Sequence, residues 1–325
     1  MELPRRKFLH LAVGAAALPA SSCIARAQAY PSRPVRIIVG SPAGAGIDIT
    51  ARLIGQWLSE RLGQQFVIEN RPGAGGNIAA EAVARATPDG YTLFLATPAN
   101  AINATLYESL SFNFIRDIAP VGALMRVPLV MVVNPSLAIK TVPEFIAHAK
   151  ANPGKVNMAL GGTGGVDHVA GLLFQKETGT RFQLVPYRGL ALALPDLLGG
   201  QVQVIFSSIP AAIEYIRTGK LQALAVTSAV RAEALPDLPT VGEFVPGLEA
   251  SQWYGIVAPK GTPAEIVDTL NKETNAGLAD PKLRVRLAEL GGMVLAGSPA
   301  DFAKLIADET EKWAKVIRAA NIKPQ

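Results

Sequence analysis

A short apolar strand that passes through a glycine loop straight into a helix occurs twice in this chain, so the second half repeats the plan of the first. In the first copy Val35, Ile37, Ile38 and Val39 form an apolar run broken only by Arg36. The run reads as a strand of a parallel sheet, covered on both faces. Gly40, Pro42, Gly44 and Gly46 end it, and from Asp48 the residues Ile49, Leu53, Ile54, Trp57 and Leu58 recur at helical spacing. The second copy runs from Val156 to Leu160, through Gly161-Gly162-Thr163-Gly164-Gly165, into Val166, Val169, Ala170, Leu172 and Leu173. Each junction leaves backbone N–H groups unpaired at the positive end of a helix, in a loop almost without side chains. Such a loop is a seat for an anion.

Strand and helix alternate between and after the two junctions. Phe66–Glu69 and Tyr91–Ala96 read as further strands of the first half, and Asn77–Ala86 as a helix. Gln183–Pro186, Val202–Phe206 and Leu221–Val226 continue the second half. This alternation predicts an α/β fold in which each half is a mostly parallel sheet flanked by helices. The run Ile118–Asn134, interrupted by Pro128, reads as the segment that leaves the first sheet for a second, and Trp253–Ala258 as the return. The expected organisation is therefore one lobe from 30–125 with 251–325 and another from 126–250, joined by two hinge crossings. A ligand held between two facing glycine loops would be enclosed by hinge motion.

The first 29 residues read as an export leader: Arg5-Arg6-Lys7, an apolar run through Ala20, and a small-x-small cleavage site at Ala27-Gln28-Ala29. Arg-Arg before Phe8-Leu9 resembles a twin-arginine signal, beside which a general secretory route stays open. The expected location is the periplasm. The leader carries three of the five formal positive charges, so the remaining chain is close to neutral. With no basic stretch interleaved with aromatics, nucleic acid is not an expected partner. The one cysteine, Cys23, lies in the leader, so disulfides, thiolate metal sites and cysteine nucleophiles are not expected after cleavage; lipid attachment at Cys23 is disfavoured by the small residues before it. Two histidines offer too little for a metal site, and no cofactor is expected.

The first loop supplies the candidate ligand contacts Pro42, Ala43, Gly44, Ala45, Gly46, Ile47 and Asp48, with Asp48 read first as the helix N-cap because a bare carboxylate repels an anion. Thr97 and Asn100 follow the third strand at the same end of the sheet. The second loop adds Gly162, Thr163, Gly164 and Gly165, and His168 stands just inside its helix as either a cleft residue or a structural partner. The loop Gly73–Gly76 reads as a tight connection or a further contact, and Arg188 as a counter-charge or a solvent-facing residue.

The ordered segments Arg71-Pro72-Gly73-Ala74-Gly75-Gly76-Asn77, Asp89-Gly90-Tyr91-Thr92-Leu93, Val185-Pro186-Tyr187-Arg188-Gly189, Leu197-Leu198-Gly199-Gly200-Gln201-Val202, Leu235-Pro236-Asp237-Leu238-Pro239-Thr240 and Trp253-Tyr254-Gly255 resemble the Bug family of solute-binding proteins. These serve tripartite tricarboxylate transporters. The resemblance implies a two-lobed periplasmic-binding-protein fold of type II, a small carboxylate ligand held largely by backbone groups and waters, no enzymatic activity, and delivery by a monomer to membrane permease subunits. A ligand sensor that presents its closed form to a receptor kinase uses the same surfaces and stays open as an alternative. The chain also departs from the family pattern: Ile47 replaces the usual Thr or Ser before the acid, Gly165 and Leu160 stand where hydroxyl residues are common, and Ser207 where Asp is frequent. Fewer hydroxyls point to a carboxylate with a larger or more apolar body than a C4 diacid. An exported dinucleotide oxidoreductase is the rival from another class, since Gly44-x-Gly46 opens a helix after a strand; Ile49 at the third fingerprint position argues against it.

Overall fold

The computed structural model describes residues 30–107, 109–161, 164–187, 189–320 and 322, so the leader expected over 1–29 lies outside the described residues. In the first half β1 (Val35–Val39), β2 (Phe66–Asn70) and β3 (Thr92–Ala96) alternate with α1 (Gly46–Leu62), α2 (Asn77–Ala84) and α3 (Pro98–Leu106). The sixteen-residue β4 (Ile118–Val133) follows. The second half repeats the plan with α4 (Val142–Ala151), β5 (Val156–Leu160), α5 (Val166–Thr178), β6 (Phe182–Pro186), α6 (Leu194–Leu198), β7 (Val204–Ser208), α7 (Ile209–Arg217) and β8 (Gln222–Val226). The chain returns on β9 (Ser251–Pro259) and ends with α8 (Ala264–Ala279), α9 (Pro281–Glu289), β10 (Met293–Val294) and α10 (Pro299–Ala320).

Sheet pairing makes the two halves copies of one design. The first lobe has the order β2-β1-β3-β9-β4, its first three strands parallel and β9 antiparallel to both neighbours. The second has β6-β5-β7-β4-β8, again with three parallel strands and antiparallel additions. Each sheet thus takes in one strand that also belongs to the other lobe. β4 pairs with β9 from Ile118 to Pro128, with β7 from Leu129 to Val133 and with β8 from Val130 to Val133. Pro128 stands at that change of partner, where its missing N–H interrupts neither ladder.

The strand sequences explain the layers. Alternate residues of β4 face opposite cores: Leu129, Met131 and Val133 pack with Phe145, Val169 and Phe174, whereas Val130 and Val132 pack with Leu197, Ile205 and Ala212. In β1, Val35, Ile37 and Val39 face α1 and α8 while Ile38 joins Phe94 and Trp253, the two-sided burial its composition predicts. α10 belongs to both cores. Phe302 and Ile306 near its start pack in the first lobe, and Trp313, Val316 and Ile317 near its end pack with Phe145 and Phe174 of the second.

Where the crossing strands meet, Thr227 holds them together. It is fully buried. Its main-chain N–H donates to Leu129 O at 2.8 Å and its main-chain oxygen accepts from Ala250 N at 3.0 Å. With the ladder group so occupied, the Thr227 hydroxyl substitutes for it, accepting from Leu129 N at 3.0 Å and donating to Ala250 O.

Candidate functional site

The loops after β1, β2 and β3 and the loop before α5 converge on one cavity of about 220 Å³ between the lobes, floored by β9. Glycine makes the convergence possible. A Cβ on Gly40 would lie 2.9 Å from Gly76 Cα, so these two loops touch backbone to backbone. On the opposite lobe a Cβ on Gly164 would lie 2.6 Å from Leu106 Cδ2 at the end of α3, at a φ of +79°, so only glycine lets the second loop pack under that helix.

Four helix starts border the cavity. α1 has Ala45 as its N-cap without a side-chain cap, and its first intrahelical bond runs from Ile49 N to Ala45 O, leaving the N–H groups of Gly46, Ile47 and Asp48 without helical partners. α5 starts after Gly165, and Val169 N to Gly165 O is its first bond. α2 follows Gly76, and α3 follows Thr97. Each helix start carries a partial charge of roughly +0.5. Among the described residues no Lys, Arg, His, Asp or Glu lines the cavity, so backbone N–H groups and helix dipoles, not cationic side chains, are what it offers an anion.

Of the residues expected from the sequence, Ile47, Thr97, Asn100 and Gly165 line this cavity together. Pro42, Ala43, Gly44, Ala45 and Gly46 form the rest of the first loop and the first turn of α1, beside the cavity and outside its lining. Asp48 is third in α1, which corrects its reading as the N-cap. Its carboxylate is turned away from the cavity, accepting from Gly44 N at 2.8 Å and Asn70 Nδ2 at 2.9 Å and pairing with Arg52 at 3.0 Å. Burial alone raises its pKa, but these partners outweigh it and hold Asp48 below the usual carboxylate range.

His168 resolves toward the structural alternative. Its Nδ1 accepts from Gly164 N at 3.1 Å, and burial lowers its pKa, which keeps the ring neutral near pH 7. Ser207 is fully buried in β7, opposite Val130 of β4, with Oγ directed at Ser208 O. Gly162, Thr163 and Arg188 lie outside the described residues. Neighbouring Asp167 mirrors Asp48: its buried carboxylate accepts from Gly161 N at 2.6 Å, and desolvation pushes its pKa up to about 6 against bonds from Gly161, its own N–H and His168 N–H.

The sequence reading leaves out Gln252 and Tyr254 on β9, and with them Ser41, Ala99, Val166, Phe94 and Leu95. For β9 a signal exists: Trp253 is 1% exposed in the core, and strand alternation then puts Gln252 and Tyr254 together on the opposite face. Gly75 and Gly76, left open between connection and contact, line the cavity.

The model of the tripartite tricarboxylate transporter family receptor matches residues 50–322, which includes α1 from its fifth residue onward, α5, both crossing strands and α10. The chain belongs to that receptor family. Protein BugT of Bordetella pertussis is 38% identical over 300 residues, covering 91% of this chain and 92% of that protein. A protein of R. palustris solved with adipate superposes with a TM-score of 0.80 at 38% identity, over 91% of this chain and 100% of that one. MatC from Rhodopseudomonas palustris, solved with bound malate, gives 0.75 at 32% identity over 89% and 100%. As a member, the chain is a periplasmic solute-binding protein of the Bug type and not an enzyme, which disposes of the dinucleotide reading of Gly44-x-Gly46. Among the described residues no helix is long and apolar enough to cross a membrane, and no cluster of metal-ligating side chains occurs.

Proposed function

We propose that this receptor captures a small carboxylate in the cleft between its lobes and, acting as a monomer, hands it to the permease subunits of a tripartite tricarboxylate transporter. The supporting observation is a cavity bordered by four helix starts and free of ionic side chains among the described residues, which attracts an anion and imposes no fixed counter-ion geometry on it. At about 220 Å³ the cavity is smaller than the roughly 300–1,000 Å³ of sites for drug-sized ligands, in keeping with a metabolite of a few carbons.

The body of that ligand is the finer part of the reading. Ile47, Phe94, Leu95 and Val166 give the cavity apolar wall, and Ile47 occupies a place where a hydroxyl is usual in the family. An unbranched diacid longer than four carbons suits this wall better than a hydroxylated C4 diacid, and the R. palustris protein solved with adipate is one relative of that kind. The lobes are taken as 30–125 with 251–325 and as 126–250, with the leader cleaved near Ala29. Titration calorimetry against succinate, adipate, pimelate, malate, amino acids and aromatic acids tests the reading. Tightest binding of a diacid longer than succinate supports it; preference for malate overturns the apolar-body part, and failure to bind any carboxylate overturns the whole.

A further inference from the structure

We propose that Tyr254 and Asn100 are the specificity-determining side chains of the cleft, a pair of neutral hydrogen-bond donors that read the ligand carboxylate on the first-lobe side. This deepens the carboxylate reading above and rests on it. Among the polar side chains that line the cavity, these two have their chemistry fixed by the surrounding structure. Asn100 is 3% exposed. Its Oδ1 accepts from Thr97 N at 2.9 Å, which sets the orientation of the amide and leaves Nδ2 as the free end. Nδ2 has no acceptor among the described residues, and it points past Gly76, where a Cβ would lie 3.9 Å from it.

Tyr254 reaches the same cavity from β9. A Cβ on Gly46, the first residue of α1, would lie 3.6 Å from Tyr254 Oη, so the phenol stands beside the unpaired N–H groups of that helix. It has no hydrogen-bond partner among the described residues. Burial pushes its pKa up to about 12, so it offers a proton at any physiological pH. Gln252 presents both a donor and an acceptor, and the Ser41 hydroxyl is directed at Pro42 O at 3.4 Å, so neither selects for an acceptor in the same way.

A carboxylate is a pure acceptor. The Asn100 amide end is a donor only and the Tyr254 hydroxyl is free to donate, each next to a helix start, so the pair matches it.

The test is calorimetry on Tyr254→Phe and Asn100→Asp with the tightest-binding acid of the panel above, together with the melting temperature of each ligand-free protein. Tyr254→Phe removes only the hydroxyl, and affinity is expected to fall about 10- to 100-fold. Asn100→Asp keeps the acceptor for Thr97 N and replaces the donor with a negative charge, so affinity is expected to fall by about 100-fold or more. Ligand-free Tyr254→Phe loses no stability on this proposal, since the hydroxyl it removes has no partner among the described residues. Both variants binding within twofold of wild type overturns the proposal while leaving the carboxylate reading intact. A clear fall in the ligand-free melting temperature of Tyr254→Phe also overturns it, by making the hydroxyl structural. A wild-type protein that binds no acid of the panel overturns both readings together.

Discussion

Replacing Thr227 by Val tests whether one buried hydroxyl holds the two crossing strands in register. The side chains are nearly equal in shape, so the change removes the hydroxyl without opening a cavity, although it is not neutral in polarity. Two main-chain groups lose their partner: Leu129 N, which donates to the hydroxyl at 3.0 Å, and Ala250 O, which accepts from it. Thr227 is fully buried, so water does not replace the lost bonds. A buried polar group left unpaired costs about 1–3 kcal/mol, and two of them therefore cost about 2–6 kcal/mol. Thr227→Ser keeps both bonds and loses one methyl group, for about 1 kcal/mol. Urea unfolding followed by circular dichroism measures both variants against wild type. A Val variant within about 1 kcal/mol of wild type, or a Ser variant as unstable as the Val variant, refutes the assignment of the hydroxyl as the strand clasp.

Asp167 gives a pH-dependent prediction. Its folded pKa, about 6, is raised above the ordinary value of 3.8, so the folded state holds the proton more tightly. Its contribution to stability is therefore complete below pH 3.8 and is lost as pH rises through 6. Asp167→Asn mimics the protonated form, and is expected to match wild type near pH 4 and to exceed it by up to about 3 kcal/mol at pH 8; an equal difference at both pH values in urea unfolding contradicts this. At Ile47, which lines the cavity, Ile47→Thr exchanges apolar wall for a hydroxyl and is expected to shift the malate-to-adipate affinity ratio toward malate by about 10-fold, combining lost apolar burial with a gained hydrogen bond. Calorimetry with the two acids checks it, and an unchanged ratio removes Ile47 from ligand discrimination.

Every strand but the two-residue β10 is legible from sequence, because each is an apolar run flanked by turn residues, and the run Ile118–Asn134 reads as the passage between sheets because Pro128 interrupts it. What escaped the sequence depends on distances along the chain that no local pattern encodes. Asn100 reads as a cleft residue, and the bond from Thr97 N to its Oδ1 is a local capping box at the start of α3; what no local pattern encodes is that Gly76 and Tyr254 border the same cavity. Tyr254 was visible only as part of a strand, because its side depends on Trp253 pointing into the core. Asp48 carries the composition of a cap, yet α1 begins two residues earlier and the carboxylate folds back onto Gly44 N. The double membership of α10 was hidden for a related reason: Phe302 and Trp313 lie on one continuous helix whose two ends meet different cores.

The crystal structure of the protein with its tightest-binding diacid measures the central claim directly. A carboxylate oxygen is expected within hydrogen-bond distance of the N–H groups at the start of α1, with Val166 N–H facing the ligand from the other lobe and no Lys or Arg side chain in contact. A carboxylate paired with a cationic side chain, or a diacid bound away from the cavity beneath Gly40 and Gly165, contradicts it.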